Sequence, residues 1–357
     1  MNTVELSLKE KIGQRFIFGV NDSNVDCIET LIKKHYIGGV ILYKRNYRDY
    51  NDMIKVIKRF KEANKDNKIP LFIAIDQENG VVNRMPKDIH VLKNIYDASK
   101  NDKYIEEYAR ITSLMLYQSG INMNLSPVVD IYNNSKSKVL FKRCFYNEEK
   151  IFKYGLVFLK EFQKNKVLPV IKHFPGHGVS SMDSHFIIPY VYNYKEILSR
   201  HVIPFKRLID EGNDALMVGH IVIRKLTKML PASISPTFIT DYLRGELKYD
   251  GIIVSDEINM LKRNMMYHNI YLRKAFETDN DIILIKIKSY DEARIILNMY
   301  QEYLLKNNME DKLDNNIKRL VRVKEKYEIS DNTHKIGFDI DEINQKIDDL
   351  NNHISLL

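Results

Sequence analysis

Eight short apolar, β-branched runs recur along this chain, each followed by a longer stretch with the spacing of an amphipathic helix. The runs are Arg15–Val20, Gly38–Tyr43, Leu71–Asp76, Asn122–Asp130, Leu168–Phe174, Asp214–His220, Gly251–Asp256 and Asp281–Lys286. Helical patterns cover Val25–His35, Tyr50–Asn64, Tyr104–Ser119, Glu148–Asn165, Tyr194–Glu211, Pro236–Leu247, Ile270–Thr278 and Asp291–Asn307. A strand that is apolar on both faces suits a parallel sheet covered by helices, because neither face then meets water. Eight β-then-α units close on themselves more naturally than they extend an open sheet, so the expected fold class is α/β, a single (β/α)8 TIM barrel. Counting alone leaves a doubly wound sheet open. The turn after the first run, Gly19-Val20-Asn21-Asp22, nevertheless lacks the glycine-rich dinucleotide fingerprint.

After the last unit, Asp311–Tyr327 reads as one extra helix packed on the barrel. The expected division is therefore one barrel domain over 1–328 and a C-terminal tail over 329–357. In that tail Ile340, Ile343, Ile347 and Leu350 fit either a short docked helix or an oligomer contact, and so a monomer or a homodimer.

The 55 Lys and Arg outnumber the 47 Asp and Glu, a formal charge of +8 that would point to an anionic partner if it were concentrated. It is spread instead over helix surfaces such as Lys55 to Lys68, with acids among the lysines and no basic run interleaved with stacking aromatics, so no nucleic-acid partner is expected. Cys27 and Cys144 are the only cysteines, which gives neither a disulfide framework nor a cysteine zinc site and fits a reducing compartment. Met1 to Lys11 is charged throughout, and no apolar run is long enough to cross a bilayer. The expectation is a cytoplasmic protein without a membrane partner.

In a barrel of this kind the chemistry sits at the C-terminal ends of the strands. Asp76, Asp130, Lys172 with His173, His220, and Asp256 with Glu257 all fall there. The most informative stretch is Lys172-His173-Phe174-Pro175-Gly176-His177-Gly178, followed by Asp183-Ser184-His185. Two metal ligands at His173 and His177 would need a helix, which Pro175 and the two glycines exclude, so neither metal nor cofactor is expected. Asp183 and His185 are two apart, so in an extended loop both side chains project to one side and the carboxylate can hold the imidazole. Alone, such a pair reads as a polar surface turn; Lys172-His173 and a strand-end Asp elsewhere shift the reading toward chemistry. Asp256 follows Ile252-Ile253-Val254-Ser255 and is, on spacing, either a group carried to the barrel mouth or an N-cap of the next helix.

These motifs resemble the bacterial β-N-acetylhexosaminidases of glycoside hydrolase family 3. The 172–178 run with Asp183-Ser184-His185 is similar to that family's signature, and Ser255-Asp256-Glu257-Ile258-Asn259-Met260 to its nucleophile motif. Further similarity lies in Gly39–Asn46, Ile75-Asp76-Gln77-Glu78-Asn79-Gly80, Asn124–Asp130 and Pro231-Ala232-Ser233. The resemblance implies a retaining exo-hydrolase of terminal β-linked N-acetylglucosamine, of the kind used in cell-wall muropeptide recycling, with an N-acetylglucosamine-containing glycoside as its small-molecule partner. It implies Asp256 as nucleophile and His185, oriented by Asp183, as acid/base. It also implies Asp76, Arg84, Arg143, Lys172 and His173 as holders of the sugar.

The chain departs from the family pattern in three places. Glu78-Asn79-Gly80-Val81 stands for Glu-Gly-Gly-Arg, which puts the packing of that loop in question, although Asn tolerates a left-handed backbone. Lys142-Arg143-Cys144-Phe145-Tyr146 stands for Gly-Arg-Ser-Phe-Gly, with bulkier neighbours around Arg143. Leu261-Lys262-Arg263-Asn264 replaces the customary small residues after the nucleophile motif. Two other readings stand beside hydrolysis. One is phosphorolysis, since a neutral histidine acid/base does not repel phosphate. The other is a non-catalytic sugar-binding or scaffold protein.

Overall fold

Strands buried on both faces find parallel neighbours in the computed structural model, which describes residues 5–20, 25–132, 139–179, 188–261 and 265–356. Among these residues the strands are, in chain order, β1 (Phe16–Val20), β2 (Gly39–Leu42), β3 (Phe72–Ile75), β4 (Met123–Asn124), β5 (Leu168–Pro169), β6 (Ile171–Phe174), β7 (Tyr190–Val191), β8 (Ala215–Val218), β9 (Val222–Ile223), β10 (Ile252–Ser255) and β11 (Ile283–Ile287). Six of them form one parallel sheet in the order β11-β1-β2-β3-β4-β5, and β10-β8-β6 form a second. β7 and β9 pair separately.

The two larger sheets meet at two seams. At one, the chain runs through Val170 from β5 directly into β6. At the other, Val254 bridges Ile282, and Ser255 N donates to Ile282 O at 3.0 Å. The expected eight-strand ring is thus observed as a mostly parallel α/β arrangement in two sheets, not as one continuous ladder.

The fourth expected run is regular only at Met123–Asn124, because Pro127 has no N–H to give a ladder. Pairing resumes at Val128, which bridges Lys172. Helices Val25–His35 and Tyr50–Asn64 have the expected limits, and Asp49 caps the second by accepting from Asp52 N. The stretch expected as one helix over Tyr194–Glu211 is three pieces: Tyr194–Glu196, a π-helical turn at Ile197–His201, and Ile203–Asp210 with Pro204 in its first turn.

The tail carries a helix over Ile340–Ser355, capped by Asp339, with Ile343, Ile347, Leu350 and Ile354 buried. It grips the loop after β3. Asn344 donates to Asp88 O and accepts from His90 N, while Asn351 donates to Val91 O and accepts from Lys93 N.

The opposite end of the sheet is plugged by a lysine. Helix Glu310–Lys326 places Lys324 against the starts of the first three strands. There its ammonium donates to Gln14 Oε1 (3.1 Å), Gly38 O (3.2 Å) and Pro70 O (2.7 Å). Burial pushes its pKa down to about 7, against the attraction of Asp331. The unfolded chain holds this proton to about pH 10 and the folded chain only to about 7, so between these values the unfolded state binds more protons and stability rises with pH. Lys324→Met removes that contribution. Urea unfolding of both proteins at pH 7 and 9.5 is expected to show wild type gaining on the order of 2–3 kcal/mol relative to the variant. Parallel changes in the two would show that the lysine stays charged.

Candidate active site

Asp76 leaves the end of β3, and the two-residue step to Glu78 keeps both carboxylates near the lysine of β6. Lys172 Nζ lies 2.5 Å from Asp76 Oδ1 and 2.5 Å from Glu78 Oε1. Arg143 closes the cluster with a bidentate contact, Nε to Glu78 Oε2 at 2.8 Å and Nη2 to Glu78 Oε1 at 2.7 Å. Burial alone would raise the pKa of Glu78. Arg143 and Lys172 overcome that penalty and hold it well below the usual carboxylate range. Arg143 also donates to Val139 O, so three of its five N–H groups are committed within the protein. Arg84 stands further out, with Nη2 at 3.7 Å from Asp76 Oδ2.

The loop behind this cluster is built around Gln77, whose amide oxygen accepts from Arg84 N and Met85 N and whose amide nitrogen donates to Asn79 and Asn83. Asn79 takes the left-handed conformation at φ 69° and donates to Thr112 Oγ1, so the turn survives the replacement of glycine. Gly80 follows at φ 57°, where a Cβ would lie 2.6 Å from Asn94 Cα. Val81 is 64% exposed and displaces no buried contact. Tyr146, another departure, is half-exposed and packs edge-on to Tyr96 with ring centroids 5.2 Å apart.

Asp130 is fully buried and anchors the next segment. It accepts from His173 Nδ1 (2.8 Å) and from the backbone N–H of His173 (3.2 Å) and His177 (2.7 Å). Burial raises its pKa, but the His173 hydrogen bond and charge bring it below the ordinary carboxylate value. An ionised Asp130 fixes the His173 tautomer with Nδ1 protonated and leaves Nε2 toward the cavity.

Across the cavity, Asp256 follows β10 and its N–H donates to Val218 O at 3.0 Å. Its carboxylate accepts from Glu257 N at 2.8 Å. Glu257 turns inward, accepts from Asn259 N and Lys286 N, and is pushed up in pKa by burial. His220 is buried and structural: Nε2 donates to Glu257 O (2.9 Å), so Nδ1 accepts from the Ser233 hydroxyl (2.5 Å).

Asp76, Arg84, Arg143, Lys172, His173 and Asp256 all line one cavity of about 140 Å³. The structure therefore brings together six of the residues singled out in the sequence. Asp183 and His185 lie outside the described residues. A larger cavity of about 490 Å³ lies elsewhere, lined by residues such as Lys61, Tyr117 and Ile336; among the described residues Glu328 is the one carboxylate lining it, whereas Asp76, Asp256 and Glu257 line the smaller one, so chemistry and not size selects the latter. Sequence reasoning missed His177 and Lys286 as groups lining the cavity, and Glu78 as the buried carboxylate behind it that holds Lys172 and Arg143. For Glu78 a signal existed in its two-residue spacing from Asp76. For Lys286, at the end of the last strand, strand-end position was the only hint.

The family described as the glycosyl hydrolase family 3 N-terminal domain matches residues 7–323. Beta-hexosaminidase A of Pseudoalteromonas piscicida is 29% identical over 300 residues, which cover 78% of this chain and 50% of that protein. The beta-hexosaminidase of Nitrosospira multiformis is 30% identical over 234 residues, 63% of this chain and 66% of that one. The chain thus spans about half to two thirds of the length of these relatives. Among solved structures, a glycoside hydrolase family 3 beta-N-acetylglucosaminidase from Paenibacillus sp. aligns with a TM-score of 0.87 at 29% identity, covering 97% of this chain and 68% of that one.

Proposed function

The chain belongs to glycosyl hydrolase family 3, and on that premise we propose that it is a retaining exo-β-N-acetylglucosaminidase. The observation that carries this reading is the position of Asp256 on the wall of the same small cavity as Asp76, Arg84, Lys172 and His173. A carboxylate facing a ring of hydrogen-bonding groups can attack an anomeric carbon while those groups hold the sugar hydroxyls.

In the proposed sequence, Asp256 forms the bond to C1 as the bond from C1 to the leaving oxygen breaks. His185, held by Asp183, protonates that oxygen. In the second half His185 takes a proton from water, the resulting hydroxide attacks C1, and Asp256 leaves as the carboxylate. The Glu78 contacts keep Arg143 and Lys172 in fixed orientations, so the sugar meets preorganised donors.

Muropeptide recycling in the cytoplasm belongs to the same proposal. A closed (β/α)8 ring does too, supported by the Val254–Ile282 bridge at one seam and the unbroken chain from β5 to β6 at the other.

Product analysis with an aryl β-N-acetylglucosaminide, run with and without phosphate, tests the reading. Free N-acetylglucosamine under both conditions is expected. Sugar 1-phosphate would make the protein a phosphorylase, and binding without turnover would make it a non-catalytic relative.

A further inference from the structure

His177 is a buried polar residue in the cavity that the mechanism above does not use. It is 2% exposed and lines the same cavity as Asp256 and His173. Its place is set by backbone. The N–H is held by Asp130 Oδ1 at 2.7 Å. A Cβ on the next residue, Gly178, would lie 1.8 Å from Ile131 O, and Gly176 sits at φ 124° against His201. The segment is thereby pressed close to its neighbours on both sides of His177, and the imidazole stands edge-on to His173 with ring centroids 5.9 Å apart.

Among the described residues, neither ring nitrogen of His177 has a hydrogen-bond partner. A buried donor and acceptor left unmade are costly, and native proteins satisfy nearly all such groups with protein, water or ligand. Burial and the neighbouring His173 push the pKa of His177 down to about 4, so near neutral pH the ring carries one N–H donor, one acceptor and no charge. The cations beside it are differently placed: Lys172 and Arg143 spend most of their donors on Asp76, Glu78 and Val139.

We propose that His177 contacts the substrate directly, its imidazole hydrogen-bonding a hydroxyl or the acetamido group of the bound N-acetylglucosaminyl unit. This rests on the reading of the site as a sugar-cleaving one. The contact adds no charge to a cavity that already holds several.

His177→Phe keeps a flat ring and removes both nitrogens, while His177→Asn restores a donor and an acceptor. The parent aryl glycoside is compared with analogues lacking the 3-, 4- or 6-hydroxyl or the acetamido group, and thermal unfolding checks that each variant is folded. His177→Phe is expected to lower kcat/KM on the parent by about tenfold or more, with His177→Asn recovering part of it. One analogue should cost wild type a similar factor and cost His177→Phe almost nothing further, which identifies the partner group. Activity of folded His177→Phe within twofold of wild type on the parent overturns the proposal, as do equal losses by both proteins on every analogue. If wild type cleaves no N-acetylglucosaminide, the catalytic reading fails by itself, and calorimetric binding of N-acetylglucosamine then decides: weaker binding by His177→Phe supports the contact, while binding unchanged from wild type, or no binding by wild type, overturns it.

Discussion

Asp256→Ala is expected to lose about 10⁴-fold or more in kcat on an aryl β-N-acetylglucosaminide while keeping its unfolding midpoint close to that of wild type. The loss is large because the covalent route ends when the attacking oxygen is removed, and a group on one face of the sugar has no substitute. The fold should survive because the carboxylate's contact with the protein includes the N–H of its own neighbour, Glu257, and the strand is held through backbone bonds such as Asp256 N to Val218 O. Steady-state kinetics with urea unfolding checks both halves. A fully active variant would remove Asp256 from the mechanism, and an unfolded one would make the residue structural.

Glu78→Gln is expected to cost both stability and binding. The native carboxylate neutralises Lys172 and Arg143 together, and its side chain is only 3% exposed. Replacing it by an amide leaves two buried cations sharing Asp76, and breaking a buried pair from one side costs about 3–5 kcal/mol. KM should rise as well, because Arg143 loses its bidentate anchor. The pH dependence follows from the depressed pKa of Glu78. A carboxylate with a lowered folded pKa contributes stability fully above its unfolded value of about 4.3, and that contribution fades as pH falls below it. Wild type should therefore progressively lose its advantage over Glu78→Gln as pH falls below about 4.5. Urea midpoints across pH 3 to 7 give the answer: a constant difference would show that folding does not shift the Glu78 pKa, and a wild-type advantage that shrinks as pH rises would show that Glu78 stays protonated in the fold.

Much of this arrangement is legible in the sequence. The apolar runs lie where β1, β2, β3, β8, β10 and β11 lie, because a buried parallel strand has no polar face to disguise it. Asn79 was readable too, since its tolerance of a left-handed backbone is a local property. What escaped depends on partners distant in sequence. Glu78 is remote from Arg143 and Lys172 in sequence, and although its two-residue step from Asp76 is visible, nothing announces the cations that join the two carboxylates. The role of Asp130 as holder of His173 and His177 is hidden in the same way. His220 looked like a strand-end catalytic candidate, yet Ser233 and the Glu257 carbonyl occupy both nitrogens. The break of the Tyr194–Glu211 pattern is a matter of local geometry that apolar spacing does not report.

The most direct test of the central claim is to trap the glycosyl-enzyme with a fluorinated N-acetylglucosaminyl donor and locate the label by mass spectrometry of peptides. A single sugar on the peptide containing Asp256, absent from Asp256→Ala, is the predicted result. A label on another carboxylate, or sustained turnover with no covalent species at any time, would contradict it.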